Sequence, residues 1–67
     1  MISYKKLFLM MEEREISKEK LKNEIGISSA TMAKLSKNEE VSMSTIQSLC
    51  RFFDCQPGAI LSYEKEV

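Results

Sequence analysis

Apolar residues recur along this chain at helical spacing. Tyr4, Leu7, Phe8 and Met11 fall at i, i+3, i+4 and i+7, which predicts one buried stripe on a helix over residues 3–14. Ser17 stands before a polar run and is a favoured N-cap, because its oxygen accepts an orphan backbone N–H. A second helix is predicted over 18–24, with Leu21 and Ile25 facing inward, and Gly26 ends it. Glycine takes left-handed backbone angles at almost no cost, which suits a helix C-terminus. Ser28 is the next N-cap candidate, for a helix over 29–37 with Met32 and Leu35 inward. Ser42 heads a fourth helix, whose stripe is Ile46, Leu49, Cys50 and Phe53. Pro57 fits a first helical position, so 57–61 reads as a short fifth helix bringing Ile60 and Leu61 back to the core. The tail "SYEKEV" is a frayed end or a short strand. The expected fold class is all-α: one domain over 1–67, a compact bundle of five short helices joined by tight turns.

Size and composition narrow the reading. A 67-residue chain buries only about 60% of the surface its unfolded form exposes, so a deep catalytic cleft has little room beside a core. The composition, 43% apolar and 30% charged, is that of a globular domain and not of a disordered one. No apolar run approaches the roughly 20 residues of a membrane span. The opening "MISYKKLFLMMEER" turns acidic where a signal peptide would continue apolar. We therefore expect a cytoplasmic protein beginning at its native Met1, with no membrane partner.

The chemistry of enzymes and metal sites is missing. There is no histidine, and Cys50 and Cys55 lack the spacing and the companions of a zinc site. A disulfide between them would disturb the helical pattern, so free thiols at least half buried are expected. No Gly-rich phosphate loop occurs, and Cys50 sits mid-helix on the apolar stripe, a poor place for a nucleophile. No catalytic residue, cofactor, metal or small-molecule ligand is expected.

Charge changes the picture through its distribution. Total charge is zero, but residues 17–37 carry Lys18, Lys20, Lys22, Lys34 and Lys37 against Glu19 and Glu24. Residues 38–67 carry Arg51 and Lys65 against five acidic groups. A solvated, lysine-rich helix face explains this as well as a phosphate-bearing partner does. The segment "EIGISSATMAKLSK" favours the partner. Helix, short turn with glycine, helix is the helix-turn-helix arrangement, here over about 18–37. In that motif the second helix, here about 29–37, lies in the DNA major groove. Its outward face must approach closely and offer hydrogen bonds, and here it presents Ser29, Ala30, Thr31, Ala33, Lys34, Lys37 and then Asn38. Ser29 and Thr31 suit base edges or phosphate, Ala30 and the Thr31 methyl suit a thymine methyl, and Lys34 suits guanine O6/N7. A free surface helix usually carries Glu–Lys pairs four apart, whereas no acidic residue occurs from Ser28 through Lys37.

The stretch "ISKEKLKNEIGISSATMAKLSKNEEVSMSTIQSLCRFFDCQPGAIL" resembles the Cro/C1-type (XRE-like) helix-turn-helix domain of bacterial and phage regulators. The opening "ISYKKLFLMMEEREIS" is similar to a short, single-domain subgroup of Gram-positive bacteria and mobile elements. The resemblance rests on the spaced set Leu21, Ile25, Gly26, Ile27, Met32, Leu35, Val41, Ile46 and Leu49. It implies a lambda-repressor-like bundle of four or five helices and a regulator that binds double-stranded DNA at an operator. By the same resemblance Ser29, Ala30, Thr31 and Lys34 face bases. Lys18, Ser28, Lys37, Asn38, Ser42 and Ser44 lie toward phosphates, and the start of the fourth helix, through Thr45, offers N–H groups.

Three departures stand out. Lys22 occupies a position the family usually gives to a small alanine, and its stem is expected to run along the groove with the ammonium in water. Glu39 and Glu40 replace a frequent Asn-Gly plus a basic residue. The recognition helix lacks Arg, Gln and Asn before its end, which points to indirect readout through groove shape. The competing expectation is a protein-interaction module of the same fold, an antitoxin or an accessory factor, favoured by zero net charge and the Glu39–Glu40 pair. A homodimer is expected on two half-sites, with Phe52, Leu61, Tyr63 and Val67 as candidate contacts. The last three alternate as a strand would, which allows a tail-to-tail strand pair.

Overall fold

The computed structural model describes residues 1–65. The element order is β1 (Ile2–Ser3), α1 (Lys5–Glu13), α2 (Lys18–Ile25), α3 (Ser29–Ser36), α4 (Met43–Phe53), a 3-10 turn (Pro57–Ala59) and β2 (Ser62–Tyr63). The core gathers Tyr4, Leu7, Met11, Leu21, Met32, Leu35, Ile46, Leu49, Phe53 and Ile60, drawn from every helix. The stripes read from the sequence are therefore the buried faces.

Three helices start on a serine, as the sequence predicts. Ser17, Ser28 and Ser42 each accept the backbone N–H of the residue three positions on, at 3.0, 3.1 and 3.2 Å. Helix α1 differs. Its Leu7 N–H is satisfied by the Ile60 carbonyl at 3.1 Å, a contact across the whole chain.

The helix ends share one device. Glu15, Gly26, Asn38 and Asp54 all have positive φ, between 52° and 71°. The N–H that follows each of them closes onto a carbonyl in the last helical turn: Ile16 on Met11, Ile27 on Lys22, Glu39 on Lys34 and Cys55 on Cys50. Only Gly26 was recognisable as a left-handed stop from its residue type, because the other three are not glycines.

Two expectations need correction. The bundle has four α-helices among the described residues, not five. Residues 57–61 make only a three-residue 3-10 turn with Pro57 at its start, since so short a segment containing Gly58 forms too few hydrogen bonds to nucleate an α-helix. The fold is also not purely α. Residue 3 belongs to a strand, not to α1, and β1 pairs antiparallel with β2, Ile2 opposite Tyr63 and Ser3 opposite Ser62. The tail strand thus finds one partner within its own chain. The Met1 ammonium donates to the Glu64 carbonyl at 2.6 Å, and the Glu64 N–H donates to the Met1 carbonyl at 2.7 Å, closing the two ends together.

Cys50 and Cys55 are free and half buried. Burial raises the Cys55 thiol pKa above its ordinary value. No helix among the described residues is long and apolar enough to cross a membrane.

Candidate nucleic-acid interface

Gly26, at φ 71°, and Ser28, in extended conformation, fix the corner between α2 and α3. Met32 and Leu35 then pin α3 to the core, at 6% and 0% exposure. Ser29, Ala30, Ala33, Lys34 and Lys37 are all exposed on its other faces. Among the described residues the one ion pair is Lys22–Glu19. Among those residues the Lys34 and Lys37 ammoniums therefore have no acidic partner. Helix α3 is a short cationic ridge standing out from the bundle.

The predicted site residues divide by how their polar atoms are used. Ser29, Ala30 and Lys34 reach solvent together on one ridge. Thr31 is half buried, and its Oγ1 accepts from the Ser28 hydroxyl at 3.1 Å, which ties it to the cap but leaves its own proton to donate. Ser28 uses its hydroxyl in capping. What the start of α3 offers outward is its unpaired first-turn N–H groups. The start of α4 is similar. Ser42 Oγ lies 2.9 Å from Ser44 Oγ and 3.0 Å from Thr45 Oγ1, a hydroxyl cluster beside free first-turn N–H groups. Thr45 itself is buried.

Lys18 stands at the start of α2, its ammonium 5.3 Å above the Phe8 ring, a cation–π contact that steadies it at the edge of the ridge. Asn38 has a structural task. Its Oδ1 accepts the Tyr4 N–H at 2.9 Å while the Tyr4 hydroxyl donates to the Glu39 carbonyl at 2.8 Å. This double clamp fixes the end of α3 to the start of α1. Asparagine tolerates the left-handed backbone, φ 57°, that the corner requires.

The Lys22 stem lies in the groove as expected, but its ammonium does not rest in water alone. Its ammonium lies 3.2 Å from Ser29 Oγ and 3.2 Å from Glu19 Oε2, with the side chain only 22% exposed. The groove between α2 and α3, lined by Lys18, Lys22, Ser29, Met32 and Ser36 among others, holds it. The sequence signal was present, a lysine seven residues before the first recognition-helix position, but only packing of the two helices shows that they meet.

A helix pinned by two apolar residues, preceded by a supporting helix across a left-handed glycine corner and bearing unpaired lysines outward, defines a helix-turn-helix DNA-binding module. Residues 6–66 match the family model of the Cro/C1-type HTH DNA-binding domain, and the chain belongs to that family. It is similar to an uncharacterized HTH-type transcriptional regulator of Bacillus subtilis (strain 168), YozG, with 32% identity over 60 residues, 87% of this chain and 71% of the relative. Its fold also matches the crystal structure of the transcriptional regulator VanUg (Form II), with a TM-score of 0.92 and 35% identity, covering 97% of this chain and 87% of that one.

Proposed function

We propose that this chain is a transcriptional regulator that binds operator DNA with α3 in the major groove. The observation that carries the reading is the ridge itself: Ser29, Ala30, Lys34 and Lys37 are exposed while Met32 and Leu35 anchor the opposite face. Lys34 reaches toward guanine O6/N7 and Ala30 toward a thymine methyl. Lys18, Lys37 and the first-turn N–H groups of α3 and α4 contact phosphates. The regulator relationships of the similar proteins support this assignment.

One such module covers roughly 600–1,000 Å² of DNA interface. We therefore place the protein on DNA as a homodimer over two half-sites about one helical turn apart. Of the four apolar contact candidates, Phe52 and Leu61 are half buried, Val67 lies outside the described residues and Tyr63 is 73% exposed. Tyr63 is thus the dimer contact best placed. Sedimentation of Tyr63→Glu tests it, and an unchanged dimer removes Tyr63 from the interface.

The principal test is a titration of duplex DNA, selected from a random pool, at rising salt. Affinity should fall steeply, because bound lysines release condensed counterions. Lys34→Glu should bind weakly while remaining folded. Glu39 and Glu40, exposed directly after α3, favour the second reading, a protein-interaction module. Full regulatory activity in Lys34→Glu would decide for that module.

A further inference from the structure

We infer that Lys22 is a positioning residue that biases Ser29 toward donating its hydroxyl proton to DNA. The inference rests on the DNA-binding reading and adds to it a specificity device at the first position of the recognition helix.

The argument begins with donor counting. An ammonium has three N–H donors and no lone pair. At 3.2 Å from Ser29 Oγ, Lys22 Nζ therefore donates and the hydroxyl accepts. A serine hydroxyl has one proton and two lone pairs, so one lone pair is now occupied. Ser29 is exposed, and its proton is free to point outward along the ridge. Free serine is indifferent, able to meet a donor or an acceptor. Ser29 beside Lys22 is not. A phosphate oxygen, guanine O6/N7 or thymine O4 meets a proton with a positive charge behind it. An adenine N6 or cytosine N4 amino group would have to bring its hydrogens up to an oxygen already holding an ammonium.

Two further features keep the ammonium in place. Glu19 Oε2 lies 3.2 Å from Nζ, one helical turn back on α2, and holds the charge in place. The Lys22 stem lies in the α2–α3 groove beside Met32 and Ala33, which limits its rotamers. Lys34 on α3 and Lys37 at its C-terminal cap have no such partners among the described residues. They are exposed positive charges, whereas Lys22 is held by two contacts.

The test uses the full chain and duplexes selected from a random pool, with Lys22→Met, Lys22→Arg, Ser29→Ala and the double variant Lys22→Met/Ser29→Ala. Methionine keeps the length of the stem in the groove without the charge. Lys22→Met should bind the selected duplex about tenfold more weakly, the loss of one charge-assisted hydrogen bond. A repeated selection with it should lose the preference for an acceptor at one base or backbone position per half-site, with the other positions unchanged. Ser29→Ala should give the same altered profile, the double variant should lose nothing more, and Lys22→Arg should restore most of the preference. The inference is overturned if Lys22→Met weakens all duplexes equally and lowers the salt slope, with losses that add to those of Ser29→Ala. Lys22 would then be an ordinary phosphate contact. A wild-type chain that ignores duplex DNA in dilute buffer overturns the DNA-binding reading together with this one. A chain that binds while the two residues act independently overturns this one alone.

Discussion

Helices α3 and α4 begin alike and are held differently. Each starts on an extended serine whose hydroxyl accepts the N–H three residues on. Helix α4 then buries Thr45, Ile46, Leu49 and Phe53 along its length. The Arg14 guanidinium also lies 5.3 Å from the Phe53 ring and donates to the Phe53 carbonyl at 3.4 Å. Helix α3 buries only Met32 and Leu35. What it lacks in lateral packing it gains at its ends, from the Ser28 cap, the Gly26 corner and the Asn38–Tyr4 clamp. A helix fixed by its ends leaves a face free, which a groove-reading helix needs. A helix fixed along its side forms the platform.

That contrast can be broken most forcefully in the platform. Leu49→Ala should cost about 2–5 kcal/mol, the transfer loss plus an unfilled cavity, read as a lowered urea midpoint. On the ridge, Lys34→Glu should change stability by no more than about 0.5 kcal/mol. A comparable loss of stability from both would mean that α3 is packed along its side after all.

Next comes the clamp. Asn38→Ala removes the acceptor of the Tyr4 N–H and places a Cβ residue without a compensating side chain in left-handed geometry. We expect a loss of roughly 2–3 kcal/mol. Asn38→Gly keeps the backbone and should lose only about half of that. Equal losses would show that the hydrogen bond, not the backbone, carries the effect. Smaller still are the caps. Ser28→Ala and Ser42→Ala should each cost about 1 kcal/mol. Both should also weaken DNA binding, since each loosens a helix start whose first-turn N–H groups face phosphate in the proposed complex, and Ser28→Ala should do so more, because α3 is the helix proposed to read the groove. Hydrogen exchange of the first turn of each helix checks this.

A gain is expected where a helix ends on a strained residue away from the ridge. Glu15 and Asp54 hold φ 56° and 52°. Glu15→Gly and Asp54→Gly should each stabilise the fold by up to about 1 kcal/mol, with DNA affinity unaltered. Thermal melts measure the first and titration the second.

The smallest effect is one of pH. Burial, with the Glu40 carboxylate adding and the Val41 backbone opposing, holds the Tyr4 phenol above its ordinary 10.0. The folded chain thus keeps this proton where the unfolded chain releases it. The contribution is complete below pH 10 and is lost as pH rises from 10 through the folded value. Stability measured at pH 9 and 11 should show this fall in the wild type. Tyr4→Phe should lack that part of it, leaving the Cys55 thiol, also raised, to account for a decline starting near its ordinary 9.0.

Local chemistry was legible because it acts over three or four residues. The apolar stripes, the three serine caps, the Gly26 corner and the exposed Ser29–Lys34 face all follow from spacing that a helix imposes on its own neighbours. A fifth helix was overread because Pro57 signals a start but says nothing of length. Glu15 and Asp54 gave no stop signal, since such residues rarely adopt left-handed geometry, and Asn38 holds it while accepting the Tyr4 N–H.

By itself, then, the sequence determined the four α-helical segments, which face of each would be buried and that a lysine-bearing ridge would follow Gly26. Tertiary structure alone decided that Ile2–Ser3 would pair with Ser62–Tyr63, that Asn38 would grip Tyr4 and that the Lys22 ammonium would rest on Ser29. The reason is physical. Each of these is a hydrogen bond or ion contact between groups whose meeting depends on how whole helices pack, and no local periodicity encodes that meeting.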